Sequence, residues 1–118
     1  MARAALEAVV LVNRVTMRMH RVPPLYESGV RYENEPRGTE SFVDCSTVLK
    51  RGFGDCAHLC AYRVAELRER GEPAALRITF KRLPGKRLFH VQVRRHNGGI
   101  EDPSRRLGMG KRQPKRTQ

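Results

Sequence analysis

Between Gly54 and Gly71 the chain carries one helix-forming run whose two ends are both marked. Asp55 is a good N-cap, Leu59, Cys60, Val64 and Leu67 follow at helical spacing, and Gly71 ends the run. The first turn of that helix contains Cys56. A thiol there lies beside unpaired backbone N–H groups and the positive end of the helix dipole, which favour thiolate over thiol. A close Asp55 carboxylate works the other way, so holding the charge requires a cationic partner, for which histidine is the usual choice.

With 118 residues the chain has room for one domain with a modest core of helices on a small sheet. No apolar run approaches membrane-spanning length, and the basic start, apolar stretch and cleavage site of a signal peptide are missing, so an intracellular or virion setting is expected. Cys45, Cys56 and Cys60 are odd in number and irregular in spacing, which argues for free thiols rather than a disulfide framework. Half of the formal +12 charge comes from Arg105, Arg106, Lys111, Arg112, Lys115 and Arg116, with no acid among them. Residues 1–110 are expected to form the domain. Residues 111–118, with no apolar anchor, form a basic tail that either aids solubility or is ordered by an acidic partner, nucleic acid included, through Lys111, Arg112, Lys115 and Arg116.

Ala2 to about Met17 reads as a helix ending before Pro23-Pro24. Leu25 to Glu35 reads as an irregular extended segment, and Ser41 to Leu49 is open between a short strand at Phe42-Val43 and a helical turn at Thr47-Val48-Leu49. After the cysteine helix, Ala75 to Phe80 and Leu88 to Arg94 alternate apolar and polar residues as half-buried strands joined by a turn at Leu83 to Lys86. A turn at Asn97-Gly98-Gly99 leads to a third antiparallel strand in Ile100-Glu101-Asp102-Pro103.

A cysteine nucleophile needs a base, and the base needs a group that fixes its ring. His20 precedes a Pro-Pro bend, His96 lies in a polar turn, and His58 is about 200° round the helix from Cys56, which leaves His90. If the strand pairing sets Gln92 opposite Asp102, His90 is the diagonal same-face neighbour of Asp102. On residues alone, the more ordinary reading is that His90 is a polar-face residue and Asp102-Pro103 a turn starter. The apolar face of the strand, Phe89, Val91 and Val93, points away from His90, so a working pair requires the helix end to meet the sheet at an edge. A rival chemistry is a metal held by Cys45, Cys56, His58 and Cys60, although structural zinc normally takes two knuckle-like pairs.

Gly54-Asp55-Cys56 opening a helix, His90 followed by Val91 and Val93, and Asp102-Pro103-Ser104 resemble the Cys, His and Asp motifs of the transglutaminase-like branch of papain-like cysteine enzymes. The runs Leu25 to Tyr32, Arg63 to Arg68 and Glu101 to Met109 resemble small transglutaminase-like proteins of bacteriophages and prophages. Together these motifs cover about Leu6 to Met109. The resemblance implies an α+β transglutaminase-like fold, with an N-terminal helix and the cysteine helix packed on a small antiparallel sheet. It also implies Cys56 as nucleophile, His90 as general acid and base, and Asp102 as the residue that orients His90. His58 stands where the family often has an acidic residue, and Phe42 near a position where tryptophan is common. The Cys56 backbone N–H is a first candidate for stabilising an oxyanion and Tyr32 a second.

The chemistry implied is that of a thiol acyl-transfer enzyme acting on an amide or peptide bond of a protein or peptide without a cofactor. Peptidase, deamidase and cross-linking activities differ only in whether water or an amine resolves the thioester. The other class of answer is a structural or assembly component of a phage particle that keeps the fold. The setting is the host cytoplasm or the virion, with no membrane partner.

Overall fold

The computed structural model describes residues 2–34 and 42–110, a small α+β domain with four helices and two sheets among them. Residues 35–41, including the Pro36-Arg37-Gly38 turn, and the tail with Lys111, Arg112, Lys115 and Arg116 lie outside the described residues. Helix α1 spans Ala2–Met19 and is followed by a single 3-10 turn at Leu25–Glu27. β1 (Arg31–Tyr32) and β2 (Phe53–Gly54) form a parallel pair on either side of α2 (Cys45–Arg51). The cysteine helix is α3 (Cys56–Glu69), and the larger sheet is β3 (Ala75–Leu83), β4 (Lys86–Arg94) and β5 (Ile100–Glu101), antiparallel in that order. Helix α4 (Pro103–Arg106) closes the described chain.

The ambiguous stretch before the cysteine helix resolves as helix from Cys45. Asp44 is its N-cap, its carboxylate accepting from Thr47 N at 3.1 Å, and no strand forms at Phe42-Val43. The two alternating strands are longer than their apolar pattern, because a two-residue turn at Pro84-Gly85 lets pairing run on to Leu83 opposite Lys86. Gly85 takes φ +75°, open to glycine without strain.

Every residue of α3 from Ala57 to Leu67 is buried. On one side, Leu6 and Val10 of α1 and Leu76, Val91 and Val93 of the sheet gather with Cys60, Ala61 and Val64. On the other, Leu59 and Tyr62 join Leu25, Val30, Cys45 and Val48. The small residues Ala57, Cys60, Ala61 and Ala65 allow this close approach, and a helix covered all round has no clear apolar stripe. Arg63 and Glu66, charged residues of this helix, are buried as partners 3.1 Å apart. The Tyr62 hydroxyl donates to the Pro23 carbonyl at 2.6 Å, and Glu66 accepts from the Leu25 amide, which ties the chain after the Pro-Pro bend to α3. Among the described residues no helix is long and apolar enough to cross a membrane.

Gly54 shows how tightly α3 is seated. A Cβ added there would lie 3.0 Å from His58 Cβ and 3.3 Å from Leu59 Cδ2, both on the first turn of α3. Gly54→Ala must push that turn outward, and we expect it to cost about 1–3 kcal/mol in denaturant unfolding and to slow Cys56 chemistry as well.

Candidate active site

Helix α3 begins at Cys56 because Asp55 caps it. The Asp55 carboxylate accepts from His58 N at 3.1 Å, and His58 Nδ1 accepts from Asp55 N at 3.3 Å, a reciprocal capping box with histidine in the place usually held by a glutamate or glutamine. Arg51 lies 3.1 Å from the same Nδ1. The buried His58 ring therefore stabilises the helix start.

The sheet edge supplies the meeting point. β4 pairs with β5 only at Val93 opposite Glu101 and Arg94 opposite Ile100, which leaves the earlier part of that edge to α3. The Val91 amide faces the Cys56 sulfur, and one helical turn on, Cys60 Sγ donates to the Val91 carbonyl at 3.2 Å. Two thiols of α3 thus meet the backbone N–H and the carbonyl of Val91, the residue after His90. Cys60, one turn below Cys56, is fully buried and also fixes the register of helix on strand. Val91 and Val93 still face the core, so the objection from strand alternation is met by an edge approach.

His90 and Asp102 come together as the register requires. Continuing the Val93–Glu101 pairing sets Gln92 opposite Asp102, and His90 Nε2 lies 2.9 Å from Asp102 Oδ2. With Asp102 as a carboxylate, the hydrogen sits on Nε2 and Nδ1 is the basic nitrogen. Burial raises the Asp102 carboxyl, but hydrogen bonds from His90, Gln92 and the Arg105 amide outweigh it and hold the carboxyl below its ordinary value. The folded protein thus binds this proton more weakly than the unfolded chain. The resulting stability is present above the ordinary carboxylate range and lost as pH falls through the depressed value.

The thiol does not follow the expectation from the helix end. Burial pushes Cys56 up to about 11, the Val91 and Ala57 amides pull it down, and the Asp55 and Asp102 carboxylates push it up again. Desolvation and two nearby anions outweigh the helix terminus, so at neutral pH the resting group is a thiol that needs a base.

Tyr32 joins this group from the small sheet. Its amide donates to the Leu107 carbonyl at 2.9 Å, and Glu33 N to the Gly54 carbonyl at 2.9 Å, which holds β1 against the entry to α3. Burial, with Cys56, Asp55 and Asp102 nearby, raises the phenol to about 12, so it stays a hydrogen-bond donor, directed at Asn34 Oδ1.

Gln92 is a member of the site that sequence reasoning used only to mark register. Its Nε2 donates to Asp102 Oδ2 at 3.1 Å, and its Oε1 accepts from Arg77 at 2.5 Å, fixing the amide orientation. The signal lay in the same pairing, since the residue opposite an orienting aspartate is the one able to hold it. Gln92→Ala removes one bond worth about 1 kcal/mol, so we expect several-fold slower Cys56 acylation. The Asp102 carboxyl, followed by NMR, should then titrate at higher pH.

The metal reading loses its donors to separate jobs. Cys45 is buried in the second core cluster, Cys60 binds the Val91 carbonyl and His58 caps α3. Among the described residues no group of three His, Cys, Asp or Glu side chains is placed to share an ion. Compared with family models, curated proteins and solved structures, the chain finds no match in any of the three.

Proposed function

We propose that the protein is a cysteine-dependent acyl-transfer enzyme of transglutaminase-like fold, with Cys56 as nucleophile, His90 as acid and base and Asp102 as the residue that orients His90. The observation that carries this reading is the His90–Asp102 contact of 2.9 Å on the strand whose Val91 amide faces the Cys56 sulfur. The elevated thiol sets the order of events. As Cys56 Sγ bonds to the carbonyl carbon of an amide, its proton passes to His90 Nδ1, and the carbonyl oxygen takes up the negative charge. The Cys56 amide, at the start of α3, is the first donor to that oxygen, with the Tyr32 hydroxyl as the second once it turns from Asn34.

Collapse of the tetrahedral adduct breaks the carbon–nitrogen bond, and the His90 imidazolium gives its proton to the leaving amine. The Asp102 carboxylate stabilises the imidazolium and keeps the ring in one tautomer. Water or a second amine then attacks the thioester, losing its proton to His90, and the thiol is restored. Peptidase, deamidase and cross-linking activity share every residue up to that step. The motif resemblance to phage-encoded proteins supports a phage-associated role, in the host cytoplasm or the virion, on a protein or peptide substrate.

The test is acylation by p-nitrophenyl acetate. We expect a burst of p-nitrophenol equal to the enzyme concentration, an acetyl group on the Cys56 peptide removable by hydroxylamine, and no burst in Cys56→Ala. Acetylation spread over lysines and unchanged in Cys56→Ala would refute the proposal.

A further inference from the structure

Helix α1 is apolar on two faces, and the fold covers one of them. Leu6 and Val10 are buried in the core against α3 and the sheet, and Asn13 is buried with its Oδ1 accepting from the Cys45 amide at 2.8 Å. On the other face Ala4, Ala8, Leu11, Val12, Val15 and Met19 are all exposed. At 3.6 residues per turn these six fall within an arc of roughly 100°, and no polar residue of the helix lies among them. Of the eight large apolar side chains exposed among the described residues, four are on this stripe and a fifth, Phe42, is beside it. Phe42 and Asp44 form one wall of a groove of about 310 Å³ whose other wall is Ala8, Val9 and Val12.

Apolar area gathered in this way marks a surface that something covers. Residues 35–41 and 111–118 hold no apolar side chain except proline, so neither segment can supply the cover. The order of side-chain sizes says what does. The stripe is small in its first half, at Ala4 and Ala8, and large in its second, at Leu11, Val12, Val15 and Met19. Laid antiparallel against itself about a two-fold axis between Leu11 and Val12, it sets Ala8 level with Val15 of the second copy and Ala4 level with Met19. Large meets small on both sides of the axis, as close packing requires. A parallel pair would instead face alanine with alanine across a gap.

Charge allows the approach. The formal +12 of the chain opposes self-association in general, but the charges that border the stripe are matched within each copy. Arg14 and Arg18 both bond Glu69, at 2.5 and 2.8 Å, and Glu7 accepts from Arg68 at 2.8 Å. The same pairing makes a membrane surface the poorer fit, since these arginines are engaged and the alanine half has little to bury in lipid. The stripe is roughly 24 Å long. With Phe42 and the bordering side chains, two copies approach the roughly 1,000 Å² at which specific association begins, which makes for a weak dimer.

We propose that the outer face of α1 is a self-association surface, through which two copies of the chain pair as an antiparallel, two-fold α1–α1 dimer.

Sedimentation equilibrium of the full chain, from about 5 to 500 µM, reads this directly. The mass should rise from 13.5 kDa towards twice that value with concentration, and added salt should not reverse the rise. Leu11→Glu and Leu11→Lys should each weaken the dimer at least tenfold, because each sets two like charges together at the axis. Mixing the two variants should restore it, since the pair then carries opposite charges. Ile100→Glu, the same kind of change at an exposed apolar residue on β5, should leave association as it was. Iodoacetamide labelling of Cys56 and the melting temperature should be unchanged in the Leu11 variants, whose altered side chain is exposed, which shows that they fold.

Monomer mass at every concentration would overturn the proposal. A dimer that survives Leu11→Glu, or variants whose mixture stays monomeric, would overturn the two-fold contact through α1. A monomer that instead binds phosphatidylglycerol vesicles, and loses that binding in Leu11→Glu, would overturn it in favour of a lipid surface. None of these outcomes touches the acyl-transfer reading, which stands or falls on the chemistry of Cys56.

Discussion

His90→Ala should slow acylation of Cys56 at neutral pH by about 10²–10⁴-fold, the usual contribution of a positioned acid and base. The effect is large because the thiol does not ionise by itself at that pH: burial and the Asp55 and Asp102 carboxylates hold it near 11. Without the imidazole, the rate follows the thiolate fraction, which grows about tenfold per pH unit below the thiol's own value. The residual rate of the variant should therefore climb steadily from pH 7 to about 10, whereas the unaltered protein, in which His90 takes the thiol proton directly, should depend far less steeply on pH over that range. Stopped-flow release of p-nitrophenol across that range reads both. Asp102→Asn should also lose rate, since the amide offers His90 no charge and permits the wrong tautomer. A variant profile that matches the unaltered one at every pH would mean that His90 takes no proton from Cys56.

The second large effect concerns stability. Glu101 accepts from Arg63 Nε at 2.6 Å and from Arg95 at 2.8 Å, and the Tyr26 hydroxyl donates to it as well. Arg63 reaches on to Glu66 at 3.1 Å and lies 4.7 Å from the centre of the Tyr26 ring. This partly buried cluster links α3, the 3-10 turn and β5, and it holds the residue immediately before Asp102. Glu101→Ala leaves Arg63 buried without its main partner, and we expect a loss of about 3–5 kcal/mol in urea unfolding, the usual cost of breaking a buried pair from one side. Arg63→Met together with Glu101→Leu should recover a large part of that loss, because removing both charges removes the desolvation cost as well. A loss under about 1 kcal/mol for Glu101→Ala would show that the cluster behaves as an exposed pair.

The sequence made the helix start, the two long strands and the His90–Asp102 register readable, because each rests on local rules: an N-cap, period-two alternation and a short loop that fixes pairing. The burial of α3 on all sides was not readable. Arg63 and Glu66 have the look of a solvated face, and only the fold brings Glu101 and the Leu25 amide to them. Ser41 to Leu49 was ambiguous because the seven-residue helix that starts within it has too little periodicity to stand out, although Asp44 was present as its cap. The lowered thiol pKa expected from the helix end failed for a related reason, since desolvation depends on what covers the group and not on its neighbours in sequence. The bracketing of Val91 by Cys56 and Cys60 needed the register of helix against strand, which no single stretch encodes.

The central claim is that Cys56, alone among three free thiols, is a nucleophile served by His90. Cys45 and Cys60 are fully buried while Cys56 is partly accessible, so exposure alone already favours Cys56. Dependence on His90 is what separates chemistry from access. The direct measurement is the iodoacetamide labelling rate of each cysteine peptide in the native protein near neutral pH, compared between unaltered protein and His90→Ala. Cys56 should be labelled well ahead of the other two and should lose most of that advantage in the variant. Equal labelling of all three, or a Cys56 rate indifferent to His90, would contradict the account.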